Sequence, residues 1–158
     1  MKLREMVVET AVVPALKSVK REDAIAELLD ALVTSGAAPK AMRDELLKAI
    51  IKRERKGSTG FGHGVAVPHA KTVEVEEVRA AIGISGSGID FNALDRQPVH
   101  AIVLMLSPES KPEDHLAAME VIFGALSQDR FRKFLRQARS VSDITTLLEE
   151  ADAAAPAR

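Results

Sequence analysis

The chain has 158 residues, no cysteine and a formal net charge of -1 at pH 7, so it is long enough for one ordinary domain and cannot form a disulfide, a thiolate zinc site or a cysteine nucleophile. With 46% hydrophobic and 28% charged residues it has a core and a solvated surface, which excludes a disordered chain. Balanced charge and the lack of Trp and Tyr argue against nucleic acid as the main partner, because phosphate backbones attract basic faces and single-stranded bases stack on aromatics.

The first apolar run, in MKLREMVVETAVVP, is interrupted by Glu9 and makes a poor signal peptide. No segment has the roughly 18 consecutive apolar residues that span a bilayer. No direct membrane insertion is therefore expected, and if the protein serves transport, the membrane part lies in another chain. Val7–Lys17 reads as a short strand or irregular lead-in. Residues 22–35 put Ile25, Leu28, Leu29, Leu32 and Val33 on one helical face, and Gly36 and Pro39 end that helix. A second helix, Lys40–Arg55, carries Leu46, Leu47, Ile50 and Ile51 and ends at Gly57.

Residues 57–70, GSTGFGHGVAVPHA, contain four glycines and predict a loop into a short strand at Val65–Val67. Alternation of Val78, Ala80, Ile82 and Ile84 predicts a strand over 78–85. GSGIDFNALDRQ is a second turn-rich loop. The nearly continuous apolar run Val99–Leu106 predicts a central strand buried on both faces. A helix follows, with Ser110 and Glu113 at capping-box spacing, Pro112 in its first turn, and a stripe of Leu116, Met119, Ile122, Phe123 and Leu126. Two shorter helices are expected near Asp129–Ala138 and Ser142–Glu150. The reading is a single domain over 1–150 with a frayed tail at 151–158. No repeat or interdomain linker interrupts it. Helices before and after the strands imply an α/β class, a layered domain with a mixed sheet.

Four histidines, His63, His69, His100 and His115, are the side chains whose charge ordinarily changes near neutral pH. His69 follows Pro68, whose ring stiffens the backbone that presents the imidazole. Glycines at 60, 62 and 64 let main-chain N–H groups approach a phosphate, and Ser58 and Thr59 add hydroxyl donors. A neutral imidazole nitrogen is a nucleophile and its phosphorylated form a phosphoryl donor. The plain alternative is a turn carrying an exposed histidine. His115, at a helix start, suits an oxyanion, or is a surface residue. Arg53, in KRERK at 52–56, either pairs with phosphate oxygens or is a solvated residue suiting the helix dipole. His100 reads as a core histidine with a local hydrogen bond, and His63 faces solvent or the site. No cofactor and no metal are assigned; a zinc site from His63, His69 and His115 lacks compact ligand spacing and evident carboxylate ligands.

The segment R-E-x-x-G-S-T-G-x-G-x-G-V-A-V-P-H, Arg53 to His69, resembles the phosphorylation-site signature of the fructose/mannitol-type enzyme IIA family of the phosphotransferase system, which includes the nitrogen-regulatory enzyme IIA proteins. Ile89–Val99, IDFNALDRQPV, is similar to the family's loop before a central strand. Val99–Pro108 with His115-Leu116 is similar to its strand and second-histidine helix. The resemblance covers nearly the whole chain. It implies a three-layer fold, with a mixed sheet flanked by helices. It implies His69 as the residue phosphorylated by an HPr-type phosphocarrier, His115 as the phosphoryl-supporting histidine, and Arg53 as an arginine near the site. It further implies a cytoplasmic location and an enzyme IIB or permease as the next partner, or a regulated transporter or kinase in the nitrogen branch. Three residues depart from the pattern: Phe61 where Ile or Val is usual, His63 where Asn is frequent, and Arg96 where Gly is frequent.

Overall fold

The computed structural model describes residues 1–155. In chain order they form α1 (Leu3–Met6), β1 (Val7–Val13), α2 (Arg21–Thr34), a 3-10 turn (Lys40–Met42), α3 (Arg43–Lys56), β2 (Gly60–Gly62), β3 (Val65–Ala66), β4 (His69–Thr72), β5 (Arg79–Ile89), β6 (Val99–Pro108), α4 (Pro112–Leu126), α5 (Asp129–Gln137) and α6 (Val141–Ala154). The strands make one six-stranded mixed sheet in the order β1-β5-β6-β3-β2, with β4 also on β6. β5 and β6 are antiparallel, whereas β1 on β5, and β3 and β4 on β6, are parallel.

β6 explains the apolar run. Ala101, Val103 and Met105 enter one core cluster with α1, α4, α5 and α6. Ile102, Leu104 and Leu106 enter a second cluster with α2 and α3. Successive residues of a strand face opposite ways, so a strand covered by helices on both faces is apolar at every position. The result is the expected α/β arrangement of helices on both sides of a mixed sheet. No helix among the described residues is long and apolar enough to cross a membrane.

The helices follow their sequence signals with instructive exceptions. α2 buries Ile25, Leu28, Leu29 and Leu32 completely. It closes with Gly36 N–H on Val33 O at 3.0 Å and Ala37 N–H on Leu32 O at 2.9 Å, a closure that needs the left-handed φ of 79° at Gly36. The expected capping box at Ser110 does not form. Pro112 takes the first helical position, so Lys111 rather than Ser110 is the N-cap, and no side chain caps α4. α6 begins instead with a true cap, Ser140 Oγ accepting from Asp143 N–H at 3.0 Å. It continues to Ala154, past the expected end at Glu150. Asp152 accepts from the N–H groups of Leu3 and Arg4 at 2.7 and 3.0 Å, which ties this end to α1, an element the sequence reading lacks. The part of the expected tail at 156–158 lies outside the described residues.

Three strands also depart from expectation. β5 runs to Ile89 rather than stopping at 85: Ile84 pairs Ala101 and Ile89 pairs Val99. The extra residues between them form a bulge around Gly86-Ser87-Gly88. Within the glycine-rich loop, β2 pairs antiparallel with β3, and His69 is the first residue of β4 rather than a loop residue.

Candidate functional site

The segment before His69 is fastened at both ends. Glu54, in the last turn of α3, is 2% exposed. Its carboxylate accepts from Thr59 N–H at 2.7 Å and from the Thr59 hydroxyl at 2.6 Å, which are charge-assisted bonds. Ser58 Oγ donates to Phe91 O at 2.6 Å and accepts from Gly60 N–H at 3.0 Å. Gly60 is required by packing: a Cβ there would lie 2.9 Å from the Cβ of Ala93. The chain then turns through Gly62 and Gly64, both at positive φ.

β3 and β4 lie end to end along β6, with Val67-Pro68 between them. Proline offers no ladder N–H, but Pro68 O still accepts from Met105 N–H at 3.0 Å, so the chain stays on the sheet while pairing is interrupted. His69 resumes it opposite Met105. The His69 Nδ1 lies 2.8 Å from Val67 O. A carbonyl can only accept, so Nδ1 carries the proton and Nε2 carries the lone pair.

His115 sits in the fourth position of α4 and is buried. Its ring centroid is 5.4 Å from that of His69, with the planes at 51°, and its Nδ1 is 2.5 Å from the Ser107 Oγ. Burial is the main influence holding both imidazoles below the ordinary histidine range. For His69, the charges of Arg53 and Lys71 add to burial, while the Val67 bond and Glu54 oppose it. For His115, His69 and Lys71 add to burial. Both rings are therefore neutral near pH 7. Arg53 is exposed and donates from Nη1 to Gly57 O at 2.9 Å, at the mouth of the same segment.

The structure thus brings His69 and His115 together, with the charge of Arg53 felt at His69. It does not bring all the expected phosphate-loop residues to them. Ser58 Oγ, both donors of Thr59 and the N–H of Gly60 are spent inside the loop. Gly62 and Gly64 form the β2–β3 turn at the other end, where Gly64 O accepts from His100 and Ala101 N–H. Val65 pairs Ala101 and His69 pairs Met105, so the turn and His69 lie roughly 13 Å apart along β6 at the usual strand rise. Both glycines have positive φ, which the turn requires. His63 is exposed in that turn, its N–H bonded to Asp95 Oδ2 at 3.2 Å, which separates it from the other two histidines of the zinc alternative. Among the described residues no group of three His, Asp or Glu side chains could hold a metal ion. His100 bonds Ser85 O through Nδ1 at 2.9 Å.

Glu54, Ser107 and Lys71 escaped sequence reasoning. Glu54 adjoins Arg53 and Lys71 lies two residues past His69, which is a weak clue. Ser107 was legible only as the last polar residue of an apolar strand.

The family model for the phosphoenolpyruvate-dependent sugar phosphotransferase system, EIIA 2, matches residues 5–151. The chain is 32% identical over 152 residues, 96% of its length, to a Bacillus subtilis protein named PTS system fructose-specific EIIABC component, of which it spans 24%. It is 34% identical over 149 residues, 94% of its length and 95% of the relative, to a nitrogen regulatory protein of Bradyrhizobium diazoefficiens. Its fold superposes with a TM-score of 0.83 and 25% identity on the crystal structure of nitrogen regulatory protein IIA-Ntr from Neisseria meningitidis, over 91% of this chain and 97% of that one.

Proposed function

The chain belongs to the phosphotransferase-system EIIA 2 family, and from that membership we propose that it is a cytoplasmic phosphocarrier that accepts a phosphoryl group on Nε2 of His69. The observation that carries this reading is the imidazole geometry. Nδ1 is committed to Val67 O, Nε2 has no hydrogen-bond partner among the described residues, and burial keeps the ring neutral, so a lone pair is held ready on a fixed ring.

The donor is a phosphohistidine of an HPr-type carrier. The Nε2 lone pair forms the new N–P bond in line as the donor's N–P bond breaks, and the donor imidazole leaves with the electron pair. Such a transfer needs positioning and charge stabilisation more than covalent assistance. His115 supplies a hydrogen bond to a phosphoryl oxygen, and Arg53 and Lys71 supply positive charge. Ser58, Thr59 and Gly60 hold the loop that fixes the distance. Leu116, which follows His115 in the chain and is 69% exposed, offers an apolar side chain beside the site on which a macromolecular donor can dock. The phosphoryl group then passes to an enzyme IIB, alone or joined to a permease.

A second reading, regulation, is favoured by the nitrogen regulatory relative matched almost end to end. There the added charge of a phosphohistidine changes docking on a transporter or kinase. Both readings share one test. The protein is incubated with phosphoenolpyruvate, enzyme I and an HPr-type carrier, and its intact mass is measured beside His69→Ala. A gain of one acid-labile phosphoryl group, absent from the variant, is expected. An equal gain in His69→Ala, or no gain with several carriers, overturns the proposal. Rapid transfer onward to an enzyme IIB favours the transport reading, whereas phosphate-dependent capture of a transporter or kinase favours the regulatory one.

A further inference from the structure

We propose that Ser107 is a positioning residue for this transfer: its hydroxyl donates to Nδ1 of His115 and so sets the proton on Nε2, the nitrogen that meets a phosphoryl oxygen. The inference rests on the phosphocarrier reading for its function, but not for its structural content.

The argument is a hydrogen-bond account. Ser107 is 0% exposed and lies near the end of β6, out of reach of bulk solvent. Among the described residues its hydroxyl has one partner, Nδ1 of His115 at 2.5 Å. Two arrangements are possible. If Nδ1–H donated to Oγ, the serine proton would be left buried without an acceptor, a loss of about 1–3 kcal/mol. If the serine donates, both the hydroxyl proton and the Nδ1 lone pair are satisfied, and what remains unmatched is only acceptor capacity on Oγ, the cheaper deficit. A neutral imidazole has one proton, so the second arrangement places it on Nε2. Burial and the nearby Lys71 charge and His69 ring disfavour a second proton on His115, so the choice is between neutral tautomers.

The two rings are then set oppositely by their partners. Val67 O, which can only accept, makes His69 Nδ1 a donor and leaves Nε2 a nucleophile. Ser107, which can donate, makes His115 Nδ1 an acceptor and Nε2 a donor. With centroids 5.4 Å apart, one ring can attack phosphorus while the other donates to an oxygen on it. The opposite tautomer of His115 would instead aim a lone pair at that oxygen and repel it. Ser107 joins sheet to helix in doing this, since β6 carries the serine and α4 the histidine.

The test reads the tautomer directly. Side-chain ¹⁵N spectra of the unphosphorylated full chain, at a pH where both rings are neutral, should show His115 protonated at Nε2 alone. Ser107→Ala should give a mixture of tautomers and slow phosphoryl acceptance from the HPr-type carrier by about two- to tenfold in kcat, the equivalent of one ordinary hydrogen bond, with KM for the carrier unchanged. Ser107→Thr, which keeps the hydroxyl, should restore the single tautomer and the rate. Thermal unfolding of each variant reports folding separately. Wild-type His115 protonated at Nδ1 overturns the proposal even if every variant misfolds. So does a Ser107→Ala protein that keeps the Nε2–H tautomer and the wild-type rate. The spectra need no phosphate, so failure of phosphorylation would count against the phosphocarrier reading and leave the tautomer result standing on its own.

Discussion

His69 and His115 differ from solvent histidines because each is partly or wholly removed from water, and a charged imidazole loses more than a neutral one on burial. Their pKa values are lowered, so the folded chain holds fewer protons than the unfolded chain just below the ordinary value of about 6.5. The sign follows from linkage: these rings contribute stability that is fully present above that value and is lost as pH falls through their folded values. On the proposed phosphocarrier reading, activity has the same direction, because protonating Nε2 of His69 removes the lone pair. Phosphoryl acceptance, followed by intact mass from pH 5 to 8, should be flat near neutrality and fall on acidification, with a midpoint below about 6.5. A midpoint above that value would contradict the burial argument. The same scale explains two departures from the family pattern. His63 and Arg96 both have φ of 60°, a left-handed conformation in which Asn and Gly carry less strain than most residues, and Asn and Gly are what the resemblance leads one to expect there.

At the scale of elements, the site depends on how one loop is pinned. Glu54 belongs to α3, yet its carboxylate replaces the water that Thr59 would otherwise need. Glu54→Gln keeps the shape but removes the charge, and one amide nitrogen then faces a hydroxyl that must reverse its bond. The expected cost is about 1–2 kcal/mol. At roughly 2–4 °C per kcal/mol for a chain of this size, calorimetry should show the melting temperature lowered by about 2–8 °C. A melting temperature unchanged within error would mean that the pair contributes nothing to stability. Periodicity alone cannot reveal such a contact. In the sequence Glu54 is one charged residue in KRERK, and only the return of the chain through Gly57 and Ser58 buries it. The same limit hid β2 and β4: strands of three and four residues carry too little alternation to be seen, and are defined by the partners they meet.

Across the whole molecule, β6 is the element on which both layers converge. Ile102 is 0% exposed and packs into the α2–α3 side, while its neighbours Ala101 and Val103 pack into the other cluster. Ile102→Ala should cost about 2–5 kcal/mol, the range for a large-to-small change in a core that cannot fully collapse. Urea unfolding should show a lower midpoint with unchanged slope. A loss below about 1 kcal/mol would mean that the helical layer moves in to fill the space, against close packing.

The covered central strand, the amphipathic α2 and α3, and the Pro68-His69 pair were readable from the chain because each rests on local pattern: period, caps and restricted dihedrals act within a few residues. The α4 stripe was readable in part, since Ile122 and Leu126 are buried as expected while Leu116 is 69% exposed and His115 takes the buried place beside it. The tertiary structure alone decided which polar groups meet. It paired Glu54 with Thr59, set the His69 and His115 rings 5.4 Å apart, and put Ser107 against His115. It also carried Gly62 and Gly64 away from His69, along β6, because strand register rather than chain proximity sets distance in a sheet. Local pattern determines elements, since its forces are short-ranged in sequence. The site depends on burial and hydrogen-bond satisfaction between residues distant in the chain, and these exist only once the layers have closed.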